Sequence, residues 1–400
     1  MQTCPHDSAV DEVPKRDGNG DVSPPSVQPQ SSESGYPGHG QDTSSRLKTD
    51  ELTRHDQMLH NQFMLGSSVH HYSATSLDVD TDDFNSTLSD LDSAVGSWRS
   101  SYTQSHTSSM VDYQYENGRR YHSYREGFYY LPNDEHEQER LDLQHHIYRV
   151  ALDGCLFLAP LPKERIHDVL DVGCGTGLWC IDLADELPGA QVLGIDLSPI
   201  QPDKVPQNCK FLIGDCNSEW VFCQRFDLVH TRAMTAGVKD WPRLMQQAYD
   251  HLKPGGYIEL QEFNIIVHCT PDTAEPKPYM VKWAEQMNEA VGKAGLDPIA
   301  PTKFDRQLQE AGFTNIVLKW QNWPIGPWAK GQKNKEIGHW FAEDVQDGVR
   351  NAEALFTRML GWSSHEFVVA AANVNNEIKG RKKHMWFEMC FAYAQKPPVP

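Results

Sequence analysis

The sequence predicts an α/β protein: a doubly wound, mostly parallel seven-stranded sheet with a terminal antiparallel strand, helical insertions and a disordered N-terminal tail. Three observations lead there. Short apolar runs alternate with helical segments between Arg165 and Phe263. One of these runs, Val169-Leu170-Asp171-Val172, has the mainly apolar character that suits a central parallel strand and leads directly into a glycine-rich turn. Beyond Phe263 the alternation gives way to helix-turn-strand units that close on the aromatic-rich segment 383–394.

Along the chain, residues 1–110 read as an acidic, low-complexity tail with Ser/Thr/Asp runs and pieces such as Pro24-Pro25-Ser26 and Gly35-Tyr36-Pro37-Gly38. A segment that buries so little apolar surface cannot offset the entropy of ordering itself. Within it, Leu77, Phe84, Leu88 and Leu91 approximate a helical face, so 77–91 is either a local helix or docking element or a solvated stretch with incidental leucines. Residues 111–164 are expected to form an N-terminal helical or lid segment. Pro132 and Asn133-Asp134 mark the start of a helix over about 135–157, with Leu141, His145, Tyr148 and Leu152 on one face. The adjacent His145 and His146 point in different directions, which disfavours a paired metal site, and no metal is expected.

The third region, 165–400, carries strands at 166–172, 191–196, 209–214, 226–230 and 257–263, with helices at 178–187 and 241–251 between them. Helical insertions are expected at about 264–301 and about 324–383, with a helix-turn-strand unit at 304–323 between them. Ligands of such a sheet belong at the carboxyl ends of the strands, near the switch in strand order.

Composition narrows the functional classes. The formal net charge of −19 argues against non-specific attraction to nucleic acid, and no direct sequence-specific nucleic-acid binding is expected. An acidic protein could still meet a basic protein partner such as a histone tail. No apolar run reaches the about eighteen residues of a spanning helix, and neither a membrane-spanning segment nor a secretory signal is expected. Nine scattered cysteines, Cys174 in the glycine turn among them, suit a reducing compartment better than a disulfide framework. Lys379-Gly380-Arg381-Lys382-Lys383 is either a nuclear import patch or a solvated loop.

The glycine turn itself decides the ligand. Gly173, Gly175 and Gly177 give G-x-G-x-G with leucine at 178, one residue out of step with the dinucleotide spacing G-x-G-x-x-G. Asp171 adds a carboxylate that a bare pyrophosphate would not welcome and that an ammonium or sulfonium ligand tolerates on Coulomb grounds. Asp196 closes the second strand, where a carboxylate can accept hydrogen bonds from both ribose hydroxyls. Asp215 closes the third, where it could accept an adenine amino group while the backbone N–H of Cys216 faces a ring nitrogen.

VLDVGCGTG, GIDLSP, GDC, FDLVHTR at 226–232 and LKPGGYIEL at 252–260 stand in the order found in class I S-adenosylmethionine-dependent methyltransferases, which the chain resembles over about 165–263. The front segment NGRRYHSYREGFYYLPNDEHEQERLDLQHH, together with GIDLSPIQP, extends the resemblance to the LaeA-like fungal methyltransferases over about 113–396. This resemblance implies S-adenosylmethionine as cofactor, contacted by Asp171, Gly173, Cys174, Gly175, Gly177, Asp196, Leu197, Asp215, Cys216, His230 and Arg232. It also implies a regulator of fungal secondary metabolism or development, with velvet-type or other regulatory protein partners, in the nucleus or cytoplasm. The acceptor stays open between a protein and a small molecule, and an interaction subunit with weak catalysis is a further reading.

For the transfer step the protein must align an acceptor with the departing sulfur, and a hydroxyl acceptor benefits from a base. His230 is a candidate base or a structural histidine; Arg232 binds the cofactor carboxylate, an acidic substrate or a local carboxylate. Glu262 either orients the acceptor or makes a structural hydrogen bond. Tyr121, with His122 and Tyr124, either folds over the cleft or faces solvent. Trp179 is expected to pack the first helix, and Trp320, Trp323 and Trp328 either fill the core or line an acceptor pocket.

Overall fold

A computed structural model describes residues 68–80, 114–121 and 130–399. The expectations for 1–67, 81–113, His122 and Tyr124 lie outside the described residues. Ten strands and seven helices of a full turn or more organise the described part. They are β1 (Val69–Tyr72), β2 (Gln114–Glu116), β3 (Arg119–Tyr121), α1 (Glu135–Ala151), β4 (Asp168–Val172), α2 (Leu178–Glu186), β5 (Gln191–Asp196), β6 (Cys209–Ile213) and β7 (Phe226–Arg232). There follow α3 (Trp241–His251), β8 (Leu252–Cys269), α4 (Tyr279–Lys293), α5 (Phe304–Glu310), β9 (Thr314–Ile325), α6 (Gln332–Asn351), α7 (Ser364–Gly380) and β10 (Met385–Gln395). A short turn with π-type bonding links α6 to α7.

The main sheet has the order β1-β9-β10-β8-β7-β4-β5-β6. Strands β4 to β8 run parallel, and β10 is antiparallel to both β8 and β9. This is the expected doubly wound, mostly parallel sheet with a late antiparallel strand. It carries one strand more than expected, because Val69–Tyr72, inside the 1–110 segment read as tail, pairs in parallel with Ile316–Lys319. The sequence VHHY has no apolar face to announce a strand, and three of its four residues are exposed, so β1 is held by its backbone edge pairing. Residues 77–80 of the proposed 77–91 helix are not helical; Val79 bridges to Ala329 instead.

Strand β4 lies at the centre because Val169, Leu170 and Val172 are fully buried on both of its faces. Val169 packs with Trp179 and Leu183 of α2, whereas Leu170 and Val172 pack with Trp241 and Leu244 of α3. The two helices thus cover opposite faces, and the order of winding reverses between β4 and β7. A third core joins α1, α4, α6 and α7 to the far ends of β8, β9 and β10. Strand β8 runs on to Cys269, so residues 264–269, expected to open an insertion, are strand that lines this core. The insertions themselves are helical as expected, and α1 starts at Asp134, whose carboxylate accepts from the Glu137 N–H.

Candidate active site

The glycine turn leaves β4 at the reversal point. Gly173, Gly175 and Gly177 all have positive φ, at 76°, 55° and 83°. Two of them are packed against side chains: a Cβ at Gly173 would meet the Met234 sulfur at 2.1 Å, and one at Gly177 the Phe211 ring at 2.4 Å. Gly175 differs, with Leu141 Cδ1 at 3.5 Å as the nearest neighbour of a Cβ, and its open side faces a cavity. Gly177 sets the start of α2 without a side-chain cap.

Asp196 ties this turn to its surroundings. Its two oxygens accept from the Gly175 and Ser198 N–H groups, each at 2.8 Å. Burial pushes its pKa up to about 6. Gln201 braces the same turn by donating to the Gly175 and Ser198 carbonyls.

Asp171 and His230 are register partners on β4 and β7, and the Asp171 carboxylate accepts from His230 Nδ1 at 2.7 Å. The other Asp171 oxygen accepts from the Cys180 thiol. His230 has no exposed surface and lies flat on Trp179, with ring centres 3.9 Å apart. It does not line the cavity, so of the two roles offered for it the structure supports the structural one, a buried side chain between β7 and α2. Trp179, as expected, packs, and its indole N–H donates to the Leu156 carbonyl.

Arg232, two residues further along β7, does reach the cavity. Its guanidinium sits 4.9 Å from the Tyr148 ring centre and donates to His145 Nδ1 at 3.1 Å. Desolvation lowers the His145 pKa to about 4, so the ring is neutral; Nε2 carries the proton toward Asp182 and leaves Nδ1 as the acceptor. The helical face 141-145-148-152 read from the sequence therefore aims this arginine, a role its spacing alone did not reveal.

Tyr121 is placed elsewhere than expected, and Glu262 takes the structural one of its two expected roles. Glu262 is fully buried beneath the turn after β7 and accepts from Thr231 Oγ1, the Met234 and Thr235 N–H groups and Thr235 Oγ1. Burial raises its pKa to about 8. Tyr121 is buried at the end of β3, with the Arg358 guanidinium 5.9 Å from its ring and its phenol pKa pushed up to about 12. Neither lines the cavity, and neither do Leu197, Asp215 and Cys216. The Asp215 carboxylate accepts from Asn217 and Ser218 within its own turn.

The roof comes from the front segment. Leu131, Pro132 and Asn133 line the cavity, and Asn133 donates to Ser198 Oγ while Arg120 grips its backbone and side-chain oxygens. Past Met234 the cavity becomes apolar, walled by Phe263, Met280, Trp283, Met287, Trp323 and Phe341. Of the three late tryptophans, Trp323 thus fills the core and lines the cavity at once. A polar network crosses the roof: Arg140 holds Glu137 through two bonds of 2.8 Å and Asp344 through one of 2.7 Å. Asn351 joins Glu137 to Arg119, which in turn grips Asp134. No signal in the sequence singled out Asp344, because its partner lies on α1, some two hundred residues away.

Residues 143–318 match the family model described as a methyltransferase domain. The chain is 40% identical to methyltransferase pytC of Aspergillus terreus over 73% of this chain and 90% of that protein. It is 38% identical to the secondary metabolism regulator LAE1 of Cochliobolus heterostrophus, over 70% of this chain and 94% of that protein. The chain belongs to the LaeA-like S-adenosylmethionine-dependent methyltransferases. A third relative of this methyltransferase is the protein-methionine methyltransferase laeA of Emericella nidulans, 33% identical over 73% of this chain and 79% of that protein.

The cavity suits the methyltransferase's cofactor, S-adenosylmethionine. It offers an open glycine backbone at Gly175, two carboxylates suited to a cationic ligand, Asp171 and Asp196, and one guanidinium, Arg232, suited to its carboxylate. Among the described residues no helix is long and apolar enough to cross a membrane, and no group of His, Cys, Asp or Glu could hold a metal ion.

Proposed function

We propose that this methyltransferase transfers the methyl group to a compact, apolar acceptor drawn into the apolar part of the cavity beyond Met234, in the service of fungal secondary metabolism. One observation carries the reading: the glycine turn, Asp171, Asp196 and Arg232 open onto the same cavity as the apolar wall of Phe263, Met280, Trp283 and Trp323. When bound, S-adenosylmethionine supplies an already activated methyl group, so the protein's task is placement and exclusion of water.

In this reading Arg232, aimed by His145 and Tyr148, binds the carboxylate of the amino-acid part, and Asp171 with the backbone of 173–175 faces its ammonium. Asp196 accepts from the ribose hydroxyls with its remaining lone pairs. Asp215 and Cys216, just past the register partner of Asp196 on β6, bound the adenine end. His230 and Glu262 act beneath the site, the first by fixing Asp171 and the second by holding the turn that presents Met234.

A regulatory reading draws on other support. The names of LAE1 and laeA favour a regulator of secondary metabolism that acts on a protein acceptor; velvet-type or other protein partners, a developmental role and a place in the nucleus or cytoplasm rest on the sequence resemblance alone. A partner-binding subunit with weak catalysis is its limiting case. The decisive experiment incubates native lysate with purified enzyme and methyl-labelled S-adenosylmethionine, then resolves products by mass. A labelled metabolite supports the compact acceptor, a labelled protein band supports the regulatory reading, and failure of the purified protein to bind S-adenosylmethionine by calorimetry overturns both.

A further inference from the structure

Among the described residues four carboxylates line the cavity: Glu137, Asp171, Asp196 and Asp344. All four are hydrogen-bonded, and they differ in place. Asp171 and Asp196 stand at the glycine turn and are bonded to it or to its supports, and Glu137 is held by three donors from Arg140 and Asn351. Asp344 is set apart, on the apolar wall.

Helix α6 shows the compartment one stripe, with Phe341, Asp344, Val345, Gly348 and Val349 following the three-and-four spacing of a single helical face. Asp344 is the charged member of that stripe, 4% exposed, with Arg140 on one oxygen at 2.7 Å and Gln144 as a second hydrogen-bond partner. One turn on, Gly348 also lines the cavity, and a Cβ built there would meet nothing within 4 Å. A buried carboxylate therefore borders open volume inside an otherwise aromatic and methionine-rich wall. A purely structural ion pair needs no such opening, since burial of a charge is costly and adjacent space would ordinarily be filled.

Building on the methyl-transfer reading, we propose that the Asp344–Gly348 face is the acceptor subsite, that the acceptor is a neutral, hydroxyl-bearing aromatic molecule, and that Asp344 takes its proton. An aromatic ring fits against Trp323 and Phe341. An anionic acceptor is disfavoured because the lining carboxylates Glu137, Asp171, Asp196 and Asp344 outnumber the lining guanidiniums Arg140 and Arg232. In the transfer step the sulfonium carbon–sulfur bond breaks and its electron pair stays on sulfur, giving the neutral thioether. The acceptor oxygen forms the new bond to the methyl carbon, and its proton passes to the Asp344 carboxylate and from there to solvent. Arg140 and Gln144 are positioning residues that hold the carboxylate in place.

The test uses the full-length protein loaded with S-adenosylhomocysteine, with 2-naphthol as the probe and naphthalene as its hydroxyl-free control. Binding is read by calorimetry and by quenching of tryptophan fluorescence, to which Trp283 and Trp323 report directly. Wild type is expected to bind 2-naphthol about tenfold or more tighter than naphthalene, the value of one charge-assisted hydrogen bond. Asp344→Asn should erase that preference, and Gly348→Leu should exclude both probes, while both variants bind S-adenosylmethionine within about twofold of wild type. Equal binding of the two probes to wild type, no binding of either, a preference retained in Asp344→Asn, or unimpaired binding in Gly348→Leu each overturns the subsite. Loss of S-adenosylmethionine binding in either variant overturns it too, by assigning this face to the cofactor. Failure of wild type to bind S-adenosylmethionine would instead strike the methyl-transfer reading, so the two failures are told apart.

Discussion

Replacing Asp196 by asparagine keeps size and shape while changing only what its two terminal atoms can do. In the folded protein both carboxylate oxygens already accept a backbone N–H at 2.8 Å, from Gly175 on one side and Ser198 on the other. An amide presents one acceptor oxygen and one donor NH2, so in either orientation one backbone N–H is left facing another donor. An unsatisfied buried donor costs about 1–3 kcal/mol, which corresponds to a loss of roughly 5- to 150-fold in affinity if the glycine turn must adopt its present shape to bind. Asp196→Asn is therefore expected to weaken S-adenosylmethionine binding at least as much as Asp196→Ala, whose smaller side chain lets water reach both N–H groups. Calorimetric titration measures the affinities, and a thermal melt run alongside separates a local change from unfolding. Binding by Asp196→Asn within about twofold of wild type would refute both the cross-bracing of the turn and the ribose assignment.

Glu262→Gln should fold and methylate, because an amide can accept from Met234 and Thr235 while donating to Thr231 Oγ1; Glu262→Ala should lose about 3 kcal/mol in chemical denaturation. The same carboxyl has its folded pKa raised from 4.5 to about 8, so its contribution to stability is full below about 4.5 and is lost as pH rises through about 8. Melts across that window should show a slope in wild type that Glu262→Gln reduces, and identical profiles would contradict the burial argument. His145→Ala frees the Arg232 guanidinium and should raise the dissociation constant for S-adenosylmethionine about three- to tenfold with little change in fold stability; an unchanged constant removes His145 from the site. Gly175→Val places a β-branched residue at φ 55° on the side that faces the cavity, and binding should fall more than about tenfold. Normal affinity in that variant would overturn the placement of the turn.

The parallel half of the sheet was legible because its strands carry local signals. Gln191–Asp196 and Trp241–His251 occur within the bounds that apolar runs and caps announce. Local signals fail where pairing alone makes the structure. β1 rests on an edge that its own residues do not advertise, and β8 extends past Phe263 because the helices packed on it bury Ile265 and Val267. Asp171, Gly175, Asp196 and Arg232, read from the strand ends, line one cavity. His230 shares a face of β7 with Arg232 and was not separable from it, because whether it reaches past the strand end depends on Trp179 of α2, which lies flat on its ring. Asp344 and Arg140 were invisible for a different reason, since a buried ion pair between distant helices leaves no spacing to read.

The alternation along β7 explains why a candidate base drawn from the sheet itself fails. His230 and Arg232 point toward the α2 side, Thr231 toward Glu262 on the neighbouring strand, and Val229 toward α3. Of the α2-side pair only Arg232 clears the end of the strand, so β7 can supply a cofactor contact and its supports but has no free side chain left to meet an acceptor. In the proposed reading the acceptor meets the far parts of β8 and β9, through Phe263 and Trp323, and the helices α4 and α6 beside them. Helices α4 and α6 belong to the insertions and take no part in the register that pairs Asp171 with His230. Acceptor choice and cofactor binding are thereby carried by different parts of the chain, and so variants on α6 are expected to alter the first while sparing the second.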